Sequence, residues 1–127
     1  MAMGQKKILV VDDESDVTEL LQARLEAIGY EVLIAHGGEV GLKKARAEKP
    51  DLVLLDVMMP KLNGYQVCRE LKKGEDTRQI PVMMLTAKAQ ESDKFWGEDC
   101  GCDDYATKPF DNEDLVARIA ALLSRKL

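Results

Sequence analysis

The chain has 127 residues, 46% of them apolar, with 18 basic against 23 acidic side chains and a formal net charge of −5. That length lies below the soft figure of about 150 residues per domain, so a single domain over 1–127 is expected, with 1–5 as a flexible N-terminal extension. The apolar share is too high for disorder, and the acidity argues against both a nucleic-acid binder and an electrostatic membrane binder, each of which needs a basic face. The longest apolar runs, Ile8–Val11 and Leu52–Leu55, fall far short of the ~20 residues of a membrane span. No basic start leads into an apolar run with a cleavage site, so no secretory signal is expected. Cys68, Cys100 and Cys102 are odd in number and lack paired spacing, which fits structural thiols in the reducing cytoplasm.

Short apolar runs alternate with amphipathic stretches along the chain. Lys7–Asp12 is apolar on both faces and reads as a buried parallel strand. Ser15–Gly29 sets Val17, Leu20, Leu21, Leu25 and Ile28 at helical spacing before a glycine stop. Glu31–Ala35 is the second strand, Glu39–Lys49 a helix cut off by Pro50, and Leu52–Asp56 the third strand. Asn63–Lys73 is a helix ending at Gly74, and Pro81–Thr86 the fourth strand. Ser92–Cys100 reads as a helix before Gly101, Asp103–Thr107 as a short fifth strand, and Asn112–Ser124 as the last helix. Five strands alternating with five helices predict an α/β fold, a doubly wound parallel sheet with helices on both faces.

Ligands of such sheets sit at the carboxyl ends of the strands. Asp12 and Asp13 end the first strand, Asp56 the third and Thr86 the fourth, and Lys108 follows the fifth. Three carboxylates on one rim repel one another unless a cation joins them, and Mg²⁺, with its preference for oxygen ligands, answers that need. An ammonium and a hydroxyl beside them complete a site for one tetrahedral, doubly charged group, of which phosphoryl is the obvious case, with a carboxylate as nucleophile. Strand-end Asp and Thr often do no more than cap helices and form turns. Four of them on the appropriate strand ends of one small domain, with Lys108 after the fifth strand, overturn that plainer explanation.

The stretches ILVVDDE (8–14), LVLLDVMMPKLNG (52–64), VMMLTA (82–87) and DDYATKPF (103–110) resemble the receiver domain of two-component response regulators, over essentially the whole chain. The resemblance implies a flavodoxin-like (βα)5 fold with strand order 2-1-3-4-5. It implies Asp56 as phosphoacceptor, supplied by a sensor histidine kinase or a histidine phosphotransfer protein. Asp13 would ligate Mg²⁺ directly, Asp12 mostly through water, and the Met58 main-chain carbonyl would be the third protein ligand. Thr86 resembles the switch hydroxyl and Lys108 the lysine that pairs with the acceptor or its phosphate. The Lys108–Pro109 bond would be cis. Tyr105 stands at the switch-aromatic position, with a half-buried strand tyrosine as the alternative. Pro60 and Gly64 shape the loop after the acceptor, and Gly64 is expected at positive φ. The domain would be a signalling switch rather than an enzyme, catalysing only its own Mg²⁺-dependent phosphoryl transfer and a slow autodephosphorylation. Slowness is expected because Met58, two residues after the acceptor, cannot orient a water well, while Lys88 offers charge and steric cover.

Other foldings of the chemistry fit less well. A haloacid-dehalogenase-like phosphatase expects a second Asp where Met58 stands, and the P-loop signature of an NTPase is absent. A flavodoxin-type carrier needs a Ser/Thr-rich phosphate loop where Asp12-Asp13-Glu14 would repel phosphate. A receiver that only binds partners would lack some of the five chemical positions, and all five are present.

The C-terminal part resembles receivers that precede winged-helix DNA-binding domains and dimerise on one face. Lys94 with Asp114, and Asp104 with Arg118, match the cross-dimer ion pairs of that face. Glu98 stands where its apolar patch usually has Leu, Val116 keeps the opposite side apolar, and Trp96 either presents an apolar contact to another partner or folds over its own helix. A carboxylate facing its own mate is costly to bury, so a monomer or weak dimer is expected. The chain reads either as a stand-alone regulator acting on an output partner or as a receiver within a longer regulator that carries its output domain. His36 reads as a solvated loop residue, the acidic run Glu91–Asp99 as a solvated face, and Met58, Met59, Met83 and Met84 as core filler.

Overall fold

A computed structural model describes residues 5–86, 101–108 and 111–125. Five parallel strands, β1 (Lys7–Val11), β2 (Glu31–Ala35), β3 (Leu52–Asp56), β4 (Val82–Thr86) and β5 (Asp104–Thr107), form one sheet in the order β2-β1-β3-β4-β5. The described helices are α1 (Ser15–Ala27), α2 (Gly38–Glu48), α3 (Gly64–Lys73) and α4 (Asn112–Ser124). The helix expected at Ser92–Cys100 lies outside the described residues, as do Lys88, Lys94, Trp96, Glu98, the run Glu91–Asp99 and the cis bond expected before Pro109. Gln5 donates its side-chain amide to the Gly29 carbonyl at 3.1 Å. No helix among the described residues is long and apolar enough to cross a membrane.

The period of two in the strands decides the layers. Leu9, Val11, Val53, Leu55, Val82 and Met84 face one core with Leu42 and Ala45 of α2 and Val67, Cys68 and Leu71 of α3. Ile8, Val10, Leu52, Leu54, Met83 and Leu85 face the other, with Leu21 and Leu25 of α1 and Leu115, Ile119, Leu122 and Leu123 of α4. Met59, Met83 and Met84 are buried as core residues, but Met58 is 73% exposed, which corrects the expectation that it fills the core. It follows the last sheet residue by two and leaves the sheet with the turning chain.

Helix ends follow local chemistry. α1 stops in a Schellman arrangement, with Tyr30 N–H bonded to Leu25 O, Gly29 N–H to Glu26 O, and Gly29 at φ +104°. α2 ends at the left-handed Lys49, just before Pro50. α3 begins with a capping box in which Asn63 and Gln66 exchange side-chain-to-backbone bonds of 3.0 and 2.9 Å.

Two aspartates repeat one device at the amino ends of the strands. Lys7 N–H donates to Asp51 Oδ2 (2.8 Å) and Asp51 N–H to Lys7 O (2.7 Å). Val82 N–H and Asp103 Oδ2, with Asp103 N–H and Val82 O, do the same at 2.8 Å each. Each pair satisfies the backbone where a strand begins beside its neighbour. Lys72 of α3 adds bonds to Asp103 (3.0 Å) and Ile80 O (2.8 Å), tying helix, loop and β5 together.

Candidate functional site

The carboxyl ends of β1, β3, β4 and β5 bring the expected residues to one rim. Asp12 follows β1 and is fully buried, Asp56 ends β3 at 4% exposure, Thr86 ends β4 at 3%, and Asp13 is exposed beside them. Sheet register sets this convergence. Asp56 pairs with Leu85 and Thr86 with Thr107, while Lys108 N–H donates to Thr86 O at 2.7 Å. Asp12 is held by its N–H on Ala35 O (3.1 Å) and accepts from Glu14 N–H at Oδ1 (3.0 Å).

Lys108 reaches across the rim. Its ammonium lies 2.9 Å from Asp12, 3.2 Å from Asp56 and 3.5 Å from Glu14. Burial alone would lower the Lys108 pKa, but its hydrogen bond to Asp12 and the Asp56 charge outweigh that, and the net shift is upward. One cation still leaves the carboxylates short of positive charge. Burial, followed by the Asp12 charge, pushes the Asp56 carboxyl up to about 6, against the lowering influence of Lys108 and of the Met58 backbone N–H that donates to it.

Asp12, Asp13 and Asp56 each bring a carboxylate oxygen within 4.8 Å of the others. Oxygens on one octahedral Mg²⁺ lie about 3–4 Å apart, so this spacing is close to that of ligands sharing one such ion. The donor set is all oxygen and all anionic, the chemistry of a hard divalent cation rather than of zinc or copper.

The loop after Asp56 is shaped differently from the expectation. Gly64 is not in the left-handed region, and Lys61 is, at φ +68°. A γ-turn forms there, with Leu62 N–H on Pro60 O at 2.8 Å. Gly64 is required by close approach instead: a Cβ would fall on the Asp56 carbonyl oxygen and 2.9 Å from Val57 Cα.

Tyr105 sits half-buried on β5, packed against the core beneath α2 and α3. Arg118 of α4 bonds Asp104 at 2.8 Å, Asp114 at 2.9 Å and the Tyr105 carbonyl at 3.3 Å, all within the chain. Those bonds, Asp114 first and Asp104 next, raise the guanidinium pKa. Val116 is partly buried.

Three contacts carry no sequence signal of their own. Glu14 as a third partner of Lys108, Lys72 on Asp103, and His36 on Thr18 (3.2 Å) join residues 94, 31 and 18 positions apart. His36, expected to be merely solvated, is exposed but bonded.

Comparison with known proteins agrees with this geometry. The family described as "Response regulator receiver domain" matches residues 8–120. The chain is 52% identical over 120 residues to the alkaline phosphatase synthesis transcriptional regulatory protein PhoP of Bacillus subtilis (strain 168), covering 94% of this chain and 49% of that protein. It is 47% identical to the DNA-binding dual master transcriptional regulator RpaA of Synechocystis, covering 94% and 49%. The chain thus spans about half the length of these curated relatives. Among solved structures, a response regulator of Chloroflexus aurantiacus is similar at TM-score 0.90 and 36% identity, covering 94% of this chain and 98% of that one. The receiver domain of a sensor histidine kinase from Pseudomonas aeruginosa PAO1, solved with a magnesium ion coordinated in its active site cleft, is similar at TM-score 0.88 and 29% identity, covering 95% and 99%.

Proposed function

Because the chain belongs to the response regulator receiver domain family, a family of signalling domains, we propose that it is a phosphorylation-driven switch whose acceptor is Asp56. The observation that carries this reading is the convergence of Asp12, Asp13, Asp56 and Lys108 on one rim, with Thr86 at the next strand end.

Asp56 is the nucleophile. One carboxylate oxygen attacks the phosphorus of a phosphohistidine on a sensor kinase or phosphotransfer protein; the O–P bond forms, the N–P bond breaks, and the histidine ring leaves and takes up a proton. Asp12, Asp13, Asp56 and the Met58 carbonyl would hold a Mg²⁺ ion, which would supply charge neutralisation for the transferred group. Lys108 keeps Asp12 and Asp56 in place and presents its ammonium to the same group. The Thr86 hydroxyl donates to a phosphoryl oxygen, and Tyr105 follows it inward. Asp104, Asp114, Val116 and Arg118 belong to the output face, to which the resemblance also assigns Lys94, Trp96 and Glu98. Self-association through that face is weak, since both carboxylates that flank Arg118 already engage it within the chain. A single receiver domain spans residues 1–127 and works in the cytoplasm. Like the transcriptional regulators it resembles, it controls an output module, and it makes no nucleic-acid or membrane contact of its own.

Addition of beryllofluoride, a phosphoryl mimic, tests the assignment. A change in the amide NMR spectrum that requires Mg²⁺ and disappears in Asp56→Asn is expected. A wild-type spectrum that ignores beryllofluoride would identify a module that only binds partners.

A further inference from the structure

We propose that His36 is a positioning residue for the acidic pair Asp12–Asp13, acting through Thr18 of α1; the inference rests on the reading of that pair as a Mg²⁺ site.

Asp12 and Asp13 lie on the short link Asp12–Glu14, between the end of β1 and the start of α1 at Ser15. A link of this kind holds its carboxylates only as firmly as its two ends are held. The β1 end is secured where Asp12 N–H meets Ala35 O. The α1 end lacks the usual anchor, because Glu14 at the N-cap makes no side-chain cap hydrogen bond and its carboxylate reaches toward Lys108 instead. Its place is taken by Thr18, whose hydroxyl is fully buried in the first turns.

Thr18 Oγ1 has one hydrogen and lies 3.0 Å from Ser15 O, which can only accept it. With that hydrogen on Ser15 O, the 3.2 Å contact with His36 Nε2 is one in which the ring N–H donates and the hydroxyl accepts. The ring can do this in its Nε2–H tautomer and equally when protonated. Residues 35 and 36, one corner at the end of β2, thus hold both ends of the acidic link, the first at Asp12 and the second at Thr18. His36 and Asp13 also line one cavity of about 290 Å³.

Groups one shell behind a metal ligand commonly change metal affinity by about 10–100-fold, and His36 acts one bond further out. Mg²⁺ affinity is therefore expected to fall by about three- to tenfold in His36→Ala and in Thr18→Val. The double variant should be no weaker than either single variant, because both remove the same contact. His36→Gln, which keeps an N–H donor, should recover part of the loss. Calorimetric Mg²⁺ titration of wild type, these variants and Asp13→Asn, with thermal melting in parallel, reads all of this. Mg²⁺ affinity unchanged in His36→Ala, even with a lowered melting temperature, would make the contact structural only and overturn the inference. Losses that multiply in the double variant would also overturn it. If Asp13→Asn binds Mg²⁺ as tightly as wild type, the acidic pair is not the metal site, and both readings fall.

Discussion

Gly64 packs against the backbone of Asp56 so closely that no β-carbon fits between the first residue of α3 and the last of β3. The same glycine donates its N–H to Val57 O at 3.0 Å. Gly64→Ala must therefore push the acceptor strand and α3 apart. A loss of about 1–3 kcal/mol is expected in denaturant unfolding, together with slower phosphorylation. Gly29→Ala is the contrast, since nothing lies within 4 Å of its β-carbon position and only its φ of +104° is strained. That variant should lose about 1 kcal/mol with phosphorylation intact. Equal phosphorylation rates in Gly64→Ala and wild type would contradict this account of the loop.

Stability should depend on pH through Asp56. Its carboxyl is raised in the folded protein from 3.8 to about 6, so the folded state holds that proton more tightly than the unfolded state does. The resulting stabilisation is complete below the unfolded value and is lost as pH rises through about 6. In Mg²⁺-free buffer, Asp56→Asn should consequently be more stable than wild type at pH 8, by up to about 3 kcal/mol, with little of that advantage left at pH 3.5. Urea unfolding of both proteins across this range provides the check. An advantage that does not change with pH would contradict it.

Much of the fold is legible in the residues, for a physical reason. Strands such as Leu52–Leu55 are buried on both faces, so a continuous apolar run marks them, and glycines, prolines and Asn63 mark helix ends. The strand order came instead from the likeness of whole motifs, because apolar runs do not say which neighbour each one pairs with. Likewise, Gly64 stands out in the sequence, but not the cause. Positive φ and close approach both demand glycine, and only the position of Asp56 in space separates them. Met58 looks like core because it is apolar and follows a core strand, yet the chain turns outward there. Contacts such as Lys72–Asp103 and His36–Thr18 join side chains that carry no periodicity to read.

Lys72 holds the opposite end of the sheet. Its ammonium bonds Asp103, Ile80 O and Arg78 O at 3.0, 2.8 and 3.3 Å. Lys72→Met keeps the aliphatic stem and removes only these bonds. A loss of about 1–3 kcal/mol in unfolding is expected, with phosphorylation unchanged because the site is at the other ends of the strands. Unaltered stability would show that the ammonium does no more there than water can.

Phosphate lifetime should respond to Met58. The side chain is 73% exposed at the mouth of the site and has no group to hold a water in line with phosphorus. Met58→Asn supplies an amide in that place and should speed loss of phosphate from Asp56 several-fold, read by the decay of the phosphoprotein on a Phos-tag gel. An unchanged decay rate would remove Met58 from the account.

Asp56 is proposed to accept phosphoryl with the help of Asp13, Mg²⁺ and Lys108. Intact-mass spectrometry after incubation with a small phosphodonor such as phosphoramidate tests it most directly. One added phosphoryl group is expected on the wild-type chain, none after chelation of Mg²⁺, none in Asp56→Asn, and none in an Asp13→Ala variant whose circular dichroism is native. Phosphorylation of Asp56→Asn at the wild-type rate, or of Asp13→Ala at that rate, would contradict it.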